Sequence, residues 1–162
     1  MNLFVKSIAV LSAVFLLSAC DTNPNANGSG DGTGGNSSLD GGAGGYLDSE
    51  HNVSDRVLFD LDSSQLTAEA QQVLEVQAAW LKKQSNVNIT VEGHCDERGT
   101  REYNIALGER RATAAKKFLT GLGVASNRIS TISYGKERPA MVGSDESSWS
   151  QNRRAVSVAT NQ

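Results

Sequence analysis

The residues with chemistry to do are crowded into one stretch, 91–112, which reads Val-Glu-Gly-His-Cys-Asp-Glu-Arg-Gly-Thr-Arg-Glu-Tyr-Asn-Ile-Ala-Leu-Gly-Glu-Arg-Arg-Ala. Wound as a helix at about 100° per residue, its second half and the residues that follow put Leu107, Ala114, Phe118 and Leu122 on one apolar stripe, with Arg111 in the middle. A guanidinium aimed at a core is costly unless a carboxylate or phosphate meets it in good geometry. The loop before the helix offers Asp96 and Glu97, and the helix start adds unpaired backbone N–H groups. Two readings follow: a pocket for a zwitterionic or anionic ligand, or an internal Arg111–Asp96 salt bridge with no ligand. Spacing alone leaves both open. His94-Cys95-Asp96-Glu97 has the residue types of a metal site, but adjacent residues rarely converge on one ion, and the other histidine, His51, is remote in sequence. No metal and no cofactor is expected. Cys95 has neither a base nor an oxyanion site in evidence, so a nucleophilic role is not expected either.

The elements that must position these residues follow from periodicity. Val87, Ile89 and Val91 alternate with polar neighbours and predict a strand leading into the charged loop. Val57, Phe59 and Leu61 predict an earlier strand over 56–62. Thr67 is an N-cap candidate with Glu69 in the first turn, and the helix it opens, to about residue 83, carries Leu66, Ala70, Val73, Leu74, Trp80 and Leu81 on one face. The Arg111 helix is expected over 102–122, closed by Gly121 and Gly123. Residues 128–134 read as a third strand, 147–151 as a helical turn after a long loop, and 153–159 as the last strand. The order β-α-β-α-β-(turn)-β makes an α+β sandwich: helix crossovers link parallel strands with both helices on one face, and the last strand, lacking a full crossover, pairs antiparallel.

The stretch Gly93-His94-x-Asp96-Glu97-Arg98-Gly99-x-x-x-Tyr103-Asn104-x-x-Leu107-Gly108-x-Arg110-Arg111-Ala112 closely resembles the OmpA-like peptidoglycan-binding domain, and within that family the peptidoglycan-associated lipoproteins. Phe59-Asp60-Leu61-Asp62, Tyr134-Gly135-Lys136-Glu137-Arg138-Pro139 and Asn152-Arg153-Arg154-Ala155-Val156 extend the resemblance over roughly residues 53–160. It implies a mixed four-stranded sheet backed by helices and a ligand, the meso-diaminopimelate of the peptidoglycan stem peptide. Asp96 would accept from its side-chain ammonium, and Arg111 would grip its carboxylate with a bidentate fork. Phe59, Asp62, His94, Cys95, Gly99, Asn104, Leu107 and Arg154 are the further ligand-binding positions it implies. It also implies partners: TolB, and beyond it TolA or other outer-membrane lipoproteins and porins, in a Tol-Pal assembly serving envelope integrity and constriction at division. No catalytic residue is expected. A peptidoglycan hydrolase also uses paired carboxylates, but the surroundings of Asp96 and Glu97 are those of a binding motif. A flagellar stator protein would need a transmembrane helix with a proton-binding acid, and a porin would need many barrel strands.

The rest of the chain supplies an anchor and a tether. Lys6 and the apolar run 8–17 read as a signal peptide over 1–19, too short to be a stable span, and Leu17-Ser18-Ala19-Cys20 resembles a lipobox. Lipid on Cys20 would hold the protein to a membrane, since two or more acyl chains anchor stably. Residues 20–45, with nine glycines, form a flexible tether; its reach is roughly 25–30 Å as a coil and roughly 80–90 Å extended. The expected location is the outer membrane with the domain in the periplasm, although Asp21 directly after the cysteine is associated in some bacteria with inner-membrane retention. With Cys20 claimed, Cys95 has no disulfide partner. The 46–162 domain is near neutral, since only Lys6 and three aspartates of the 15 basic and 18 acidic residues lie outside it. A local excess of Lys and Arg between 98 and 128 lacks the aromatic platform of a nucleic-acid binder, so no nucleic acid is expected.

Overall fold

The computed structural model describes residues 45–160. The signal peptide, Cys20, Asp21 and the tether as far as residue 44 lie outside the described residues. A small antiparallel ribbon comes first, β1 (Tyr46–Asp48) and β2 (Val53–Ser54), turning through Asn52 at φ 54°. Alternation does not reveal it, because its strands are shorter than the pattern that identifies one. The indole Nε1 of Trp80 donates to Asp48 Oδ2 at 2.6 Å and pins the ribbon to the first helix.

The main sheet holds β3 (Arg56–Leu58), β4 (Asn88–His94), β5 (Ile129–Gly135) and β6 (Arg154–Thr160) in the order β3-β6-β4-β5. β4 and β5 are parallel, and β6 runs antiparallel to both β3 and β4. The antiparallel last strand is as expected. It enters the sheet centre, filling the gap between β3 and β4. The first strand is shorter than the expected 56–62. Phe59 still donates its N–H to the Arg153 carbonyl at 2.9 Å, but the chain then turns, with Ser63 N–H on the Asp60 carbonyl at 3.3 Å and Asp62 at φ 54°. A strand does not accommodate that left-handed residue.

Helices α1 (Ala68–Lys83) and α2 (Arg101–Gly121) cover one face of the sheet, and α3 (Glu146–Asn152) supplies the expected turn before β6. Thr67 caps α1, accepting from Ala70 N at 3.2 Å, and Thr100 caps α2, accepting from Tyr103 N at 3.2 Å. Ala70, Leu74, Ala78 and Leu81 of α1 and Ala112, Ala115 and Leu119 of α2 meet Ile89, Val91, Ile129 and Ala155 of the sheet in one core. The buried stripe of α2 is offset from the expected one: it runs Leu107, Gly108, Arg111, Ala112, Ala115, Leu119, with Phe118 and Leu122 on its flank. Arg111 remains at its centre. Arg128, inside the basic stretch, donates to the carbonyls of Leu81 at 3.0 Å and Gln84 at 2.7 Å, so it closes the C-terminal end of α1.

Two glycines set how closely α2 lies on β4. A Cβ built on Gly93 would stand 1.8 Å from the Gly108 carbonyl oxygen, and one on Gly108 would stand 2.8 Å from that of Gly93. Backbone therefore touches backbone at this crossing. The contact brings the next turn of α2, with Arg111, to the end of β4.

Candidate ligand-binding site

Three segments converge where β4 ends: the turn after β3, the loop between β4 and α2, and the first turns of α2. They enclose a cavity of about 210 Å³. Of the residues expected to bind, Asp62, Cys95, Asp96, Gly99, Asn104, Leu107 and Arg111 line it. The loop is held by its own groups. Gly99 takes φ 87°, which a side chain would resist, Asn104 Nδ2 donates to the Arg98 carbonyl at 2.8 Å, and the Cys95 thiol donates to the Asn104 carbonyl at 3.3 Å. Burial pushes the Cys95 thiol above its ordinary range, against the pull of Arg111.

Arg111 is wholly buried, and it does not form the internal salt bridge with Asp96. Its Nε donates to the Ser63 carbonyl at 2.8 Å, Nη1 to the His94 carbonyl at 2.8 Å and Nη2 to the Asp60 carbonyl at 3.0 Å. The Phe59 ring lies beneath it, 5.2 Å from Cζ. Burial lowers its affinity for the proton, and the guanidinium is charged nonetheless. A guanidinium has five N–H donors, so three neutral acceptors leave it with donors and charge to spare.

Asp96, also buried, is paired with other arginines. Oδ2 accepts from Arg98 Nη2 at 2.6 Å and from Arg153 Nη1 at 3.5 Å, and Oδ1 accepts from Arg98 N at 3.1 Å and Arg98 Nε at 3.2 Å. Burial alone would raise its carboxyl; the Arg98 and Arg153 hydrogen bonds outweigh it and hold the group below the usual carboxylate range. One cavity thus carries a buried carboxylate and a buried guanidinium with no hydrogen bond between them, although the carboxylate favours the guanidinium's charge through space.

Three expected residues do not line the cavity. Phe59 is core, supporting Arg111 from below. The His94 carbonyl serves Arg111, but its ring packs against Tyr134 with centroids 5.6 Å apart and Glu92 3.4 Å from Nε2. Neither ring nitrogen has a hydrogen-bond partner among the described residues, and burial lowers the His94 pKa against the opposing effect of Glu92. Arg154 donates to the carbonyls of Asn152 at 3.4 Å and Arg138 at 3.2 Å, and burial, aided by Arg56, lowers its pKa to about 10. The arginine that reaches the site is its neighbour, Arg153, through the contact with Asp96 and a 3.0 Å bond from Nε to the Phe59 carbonyl. Successive strand residues face opposite ways. Ala155 and Ser157 look to the helices, Ser157 Oγ bonding Gln77 at 2.8 Å, so Arg154 lies on the opposite face, while Arg153, which closes α3 just before the strand, reaches Asp96. Leu61, Arg98 and Tyr103 complete the lining, the Tyr103 hydroxyl donating to Asp62. Arg98 and Tyr103 stood in the quoted motif, but nothing in their spacing distinguished them from exposed loop and helix residues.

The model of the OmpA family matches residues 58–154. A peptidoglycan-associated lipoprotein of Brucella melitensis is 60% identical over 107 residues, which are 66% of this chain and 64% of that protein's length. The peptidoglycan-associated lipoprotein of Haemophilus influenzae is 44% identical over 159 residues, 96% of this chain and 98% of that protein. Among solved structures, the peptidoglycan-associated lipoprotein from Burkholderia pseudomallei superposes with a TM-score of 0.66 at 42% identity, over 68% of this chain and 93% of that one. The C-terminal domain of Helicobacter pylori MotB, at 24% identity and a TM-score of 0.62, shares the fold. The matched span runs from the last residue of β3 to the first of β6 and so contains the whole cavity: the chain belongs to the OmpA family, beside relatives that are peptidoglycan-associated lipoproteins.

Proposed function

We propose that this domain binds peptidoglycan non-covalently, taking the side-chain end of meso-diaminopimelate into the cavity. The observation that carries this is the state of Arg111: a buried guanidinium whose three hydrogen bonds all go to neutral carbonyls, on the wall of a cavity that also exposes a carboxylate. An amino-acid end brings a carboxylate to hydrogen-bond with Arg111 and a cation to Asp96. In this reading Asp62, Gly99, Asn104 and Leu107 shape the walls, while Phe59, His94 and Arg153 hold Arg111 and Asp96 in place.

The relatives' shared name supports the wider role. Lipid on Cys20, after removal of residues 1–19, fixes one end in the outer membrane, the domain holds the wall, and residues 20–45 span between. TolB and TolA are the partners this role calls for, and envelope constriction the process it serves. Among the described residues no helix is long and apolar enough to cross a membrane. Hydrolysis fits less well. A glycosidase acid needs a raised pKa, and Asp96 is held low by two arginines.

Retention on purified peptidoglycan tests the reading. Asp96→Asn keeps the shape of the side chain and removes its charge, so the variant should melt as a folded domain and be lost from the sedimented wall. A folded Asp96→Asn protein that sediments like the unaltered chain would contradict it.

A further inference from the structure

A carboxylate that receives a ligand's ammonium has to be open to it, and Asp96 is occupied. Arg98 covers both oxygens, with Nη2 2.6 Å from Oδ2 and Nε 3.2 Å from Oδ1. Arg153 touches Oδ2 at 3.5 Å. The two guanidiniums differ in freedom. The Arg153 side chain is 8% exposed and is tied to the Phe59 carbonyl and to Glu146 at 2.6 Å. The Arg98 side chain is 34% exposed and, apart from Asp96, rests on the Trp149 ring, 4.1 Å from Cζ to the centroid. Trp149 is in turn held by Glu97, its Nε1 donating at 3.1 Å.

The backbone under Arg98 does not share this freedom. Its carbonyl accepts from Asn104 Nδ2, its N–H donates to Asp96, and Lys136 Nζ donates to the carbonyls on either side, Glu97 at 3.1 Å and Gly99 at 2.8 Å. A change of partner at Asp96 therefore requires rotation of one side chain and no movement of the loop.

We propose that Arg98 is an internal competitor: its guanidinium holds the ammonium seat on Asp96 in the free domain and swings out along the face of Trp149 when the ligand's ammonium takes that seat. The inference rests on the reading of Asp96 as the ammonium acceptor. One cation replaces another, so the buried carboxylate is never left bare, which would be costly. Glu97, which accepts from Trp149, and Glu146, which accepts from Arg153, favour the Arg98 charge through space. The exchange also filters ligands. A stem peptide whose terminal amine is acetylated brings no cation and cannot open the site. Because the ligand must displace a bound group, the grip is weaker than the contacts alone would give, which suits a reversible hold on the wall.

Calorimetry of the full chain with a soluble diaminopimelate stem peptide separates the possibilities. Arg98→Ala should bind about threefold to fivefold tighter, the range of a partly exposed ion pair, and Arg98→Lys should fall between it and the unaltered chain. By NMR, the Arg98 Nε–H should exchange faster with solvent on saturation with peptide, while that of Arg153 stays protected. Equal or weaker binding by Arg98→Ala, or greater protection of the Arg98 Nε–H in the complex, would overturn the competitor role; weaker binding with greater protection would make Arg98 a direct ligand of the bound peptide. Asp96→Asn with undiminished affinity would overturn the ammonium reading itself, and the competitor role with it, whatever Arg98→Ala does.

Discussion

In the proposed role Arg111 has two jobs that a substitution cannot cleanly separate. Its three carbonyl bonds tie the turn after β3 and the end of β4 to α2, and the same guanidinium faces the cavity. Arg111→Lys keeps the charge but cannot span three acceptors with a point-like ammonium. It should lower stability by about 2–4 kcal/mol, since buried hydrogen bonds from charged groups contribute about 1.5–3 kcal/mol each, and it should lose most wall binding; denaturant melts and pull-down check both. The inward guanidinium was legible from helical spacing, but the carboxylate or phosphate expected to meet it is replaced by three carbonyl acceptors. These were not legible, because those of Asp60 and Ser63 come from a distant turn that no local pattern reports. His94 gives a separate prediction. Its folded pKa lies below 6.5, so the unfolded chain binds the proton first. Stability is then full above pH 6.5 and is lost as pH falls from there through the folded value. The ring faces Glu92 on its own strand, Tyr134 on β5, Arg138 beyond it and Arg154 on β6, and both arginines oppose its protonation. His94→Gln should flatten the fall in melting temperature below pH 6.5; an unchanged slope would assign the acid sensitivity to other groups.

At the scale of elements, the crossing of α2 over β4 governs the site. Gly93→Ala drives a methyl to within 1.8 Å of the Gly108 carbonyl oxygen, with backbone on both sides and no side chain to yield. It should cost about 1–3 kcal/mol or more, as overpacking in a tight core does, and should loosen Arg111 from the His94 carbonyl. Gly121→Ala is the control: a Cβ there meets nothing within 4 Å, and alanine should stabilise the end of α2 by about 0.5 kcal/mol. Melting curves of the two variants should therefore move in opposite directions. Both long helices and β4, β5 and β6 were legible, because their periods are long enough to register and Thr67 marks a start. The end of β3 at Leu58 was not, since the left-handed Asp62 breaks an alternation that continues in the sequence as far as Leu61. The contact of Arg153 with Asp96 also belongs here: it comes from the junction of α3 and β6, which no periodicity in the sequence reports.

For the whole molecule, the proposed role needs an anchor, a tether and a wall-binding head in one chain. Cys20→Ser should abolish incorporation of a labelled fatty acid and release the protein from membranes; label retained by the variant would remove the anchor from the account. Separation of inner and outer membranes should place the lipidated protein in the outer fraction, against the retention that Asp21 suggests. The head's affinity for one chemical end group is the claim on which the rest depends. The direct test is calorimetric titration of the full chain with two soluble stem peptides that differ only at the third residue, diaminopimelate in one and lysine in the other. Both bring an ammonium to Asp96, and only diaminopimelate brings a carboxylate to Arg111. The diaminopimelate peptide should bind at least about tenfold tighter, as a charge-assisted pair contributing about 1.5–3 kcal/mol requires. Equal affinity for the two peptides would contradict that pairing and leave Arg111 as a structural arginine alone.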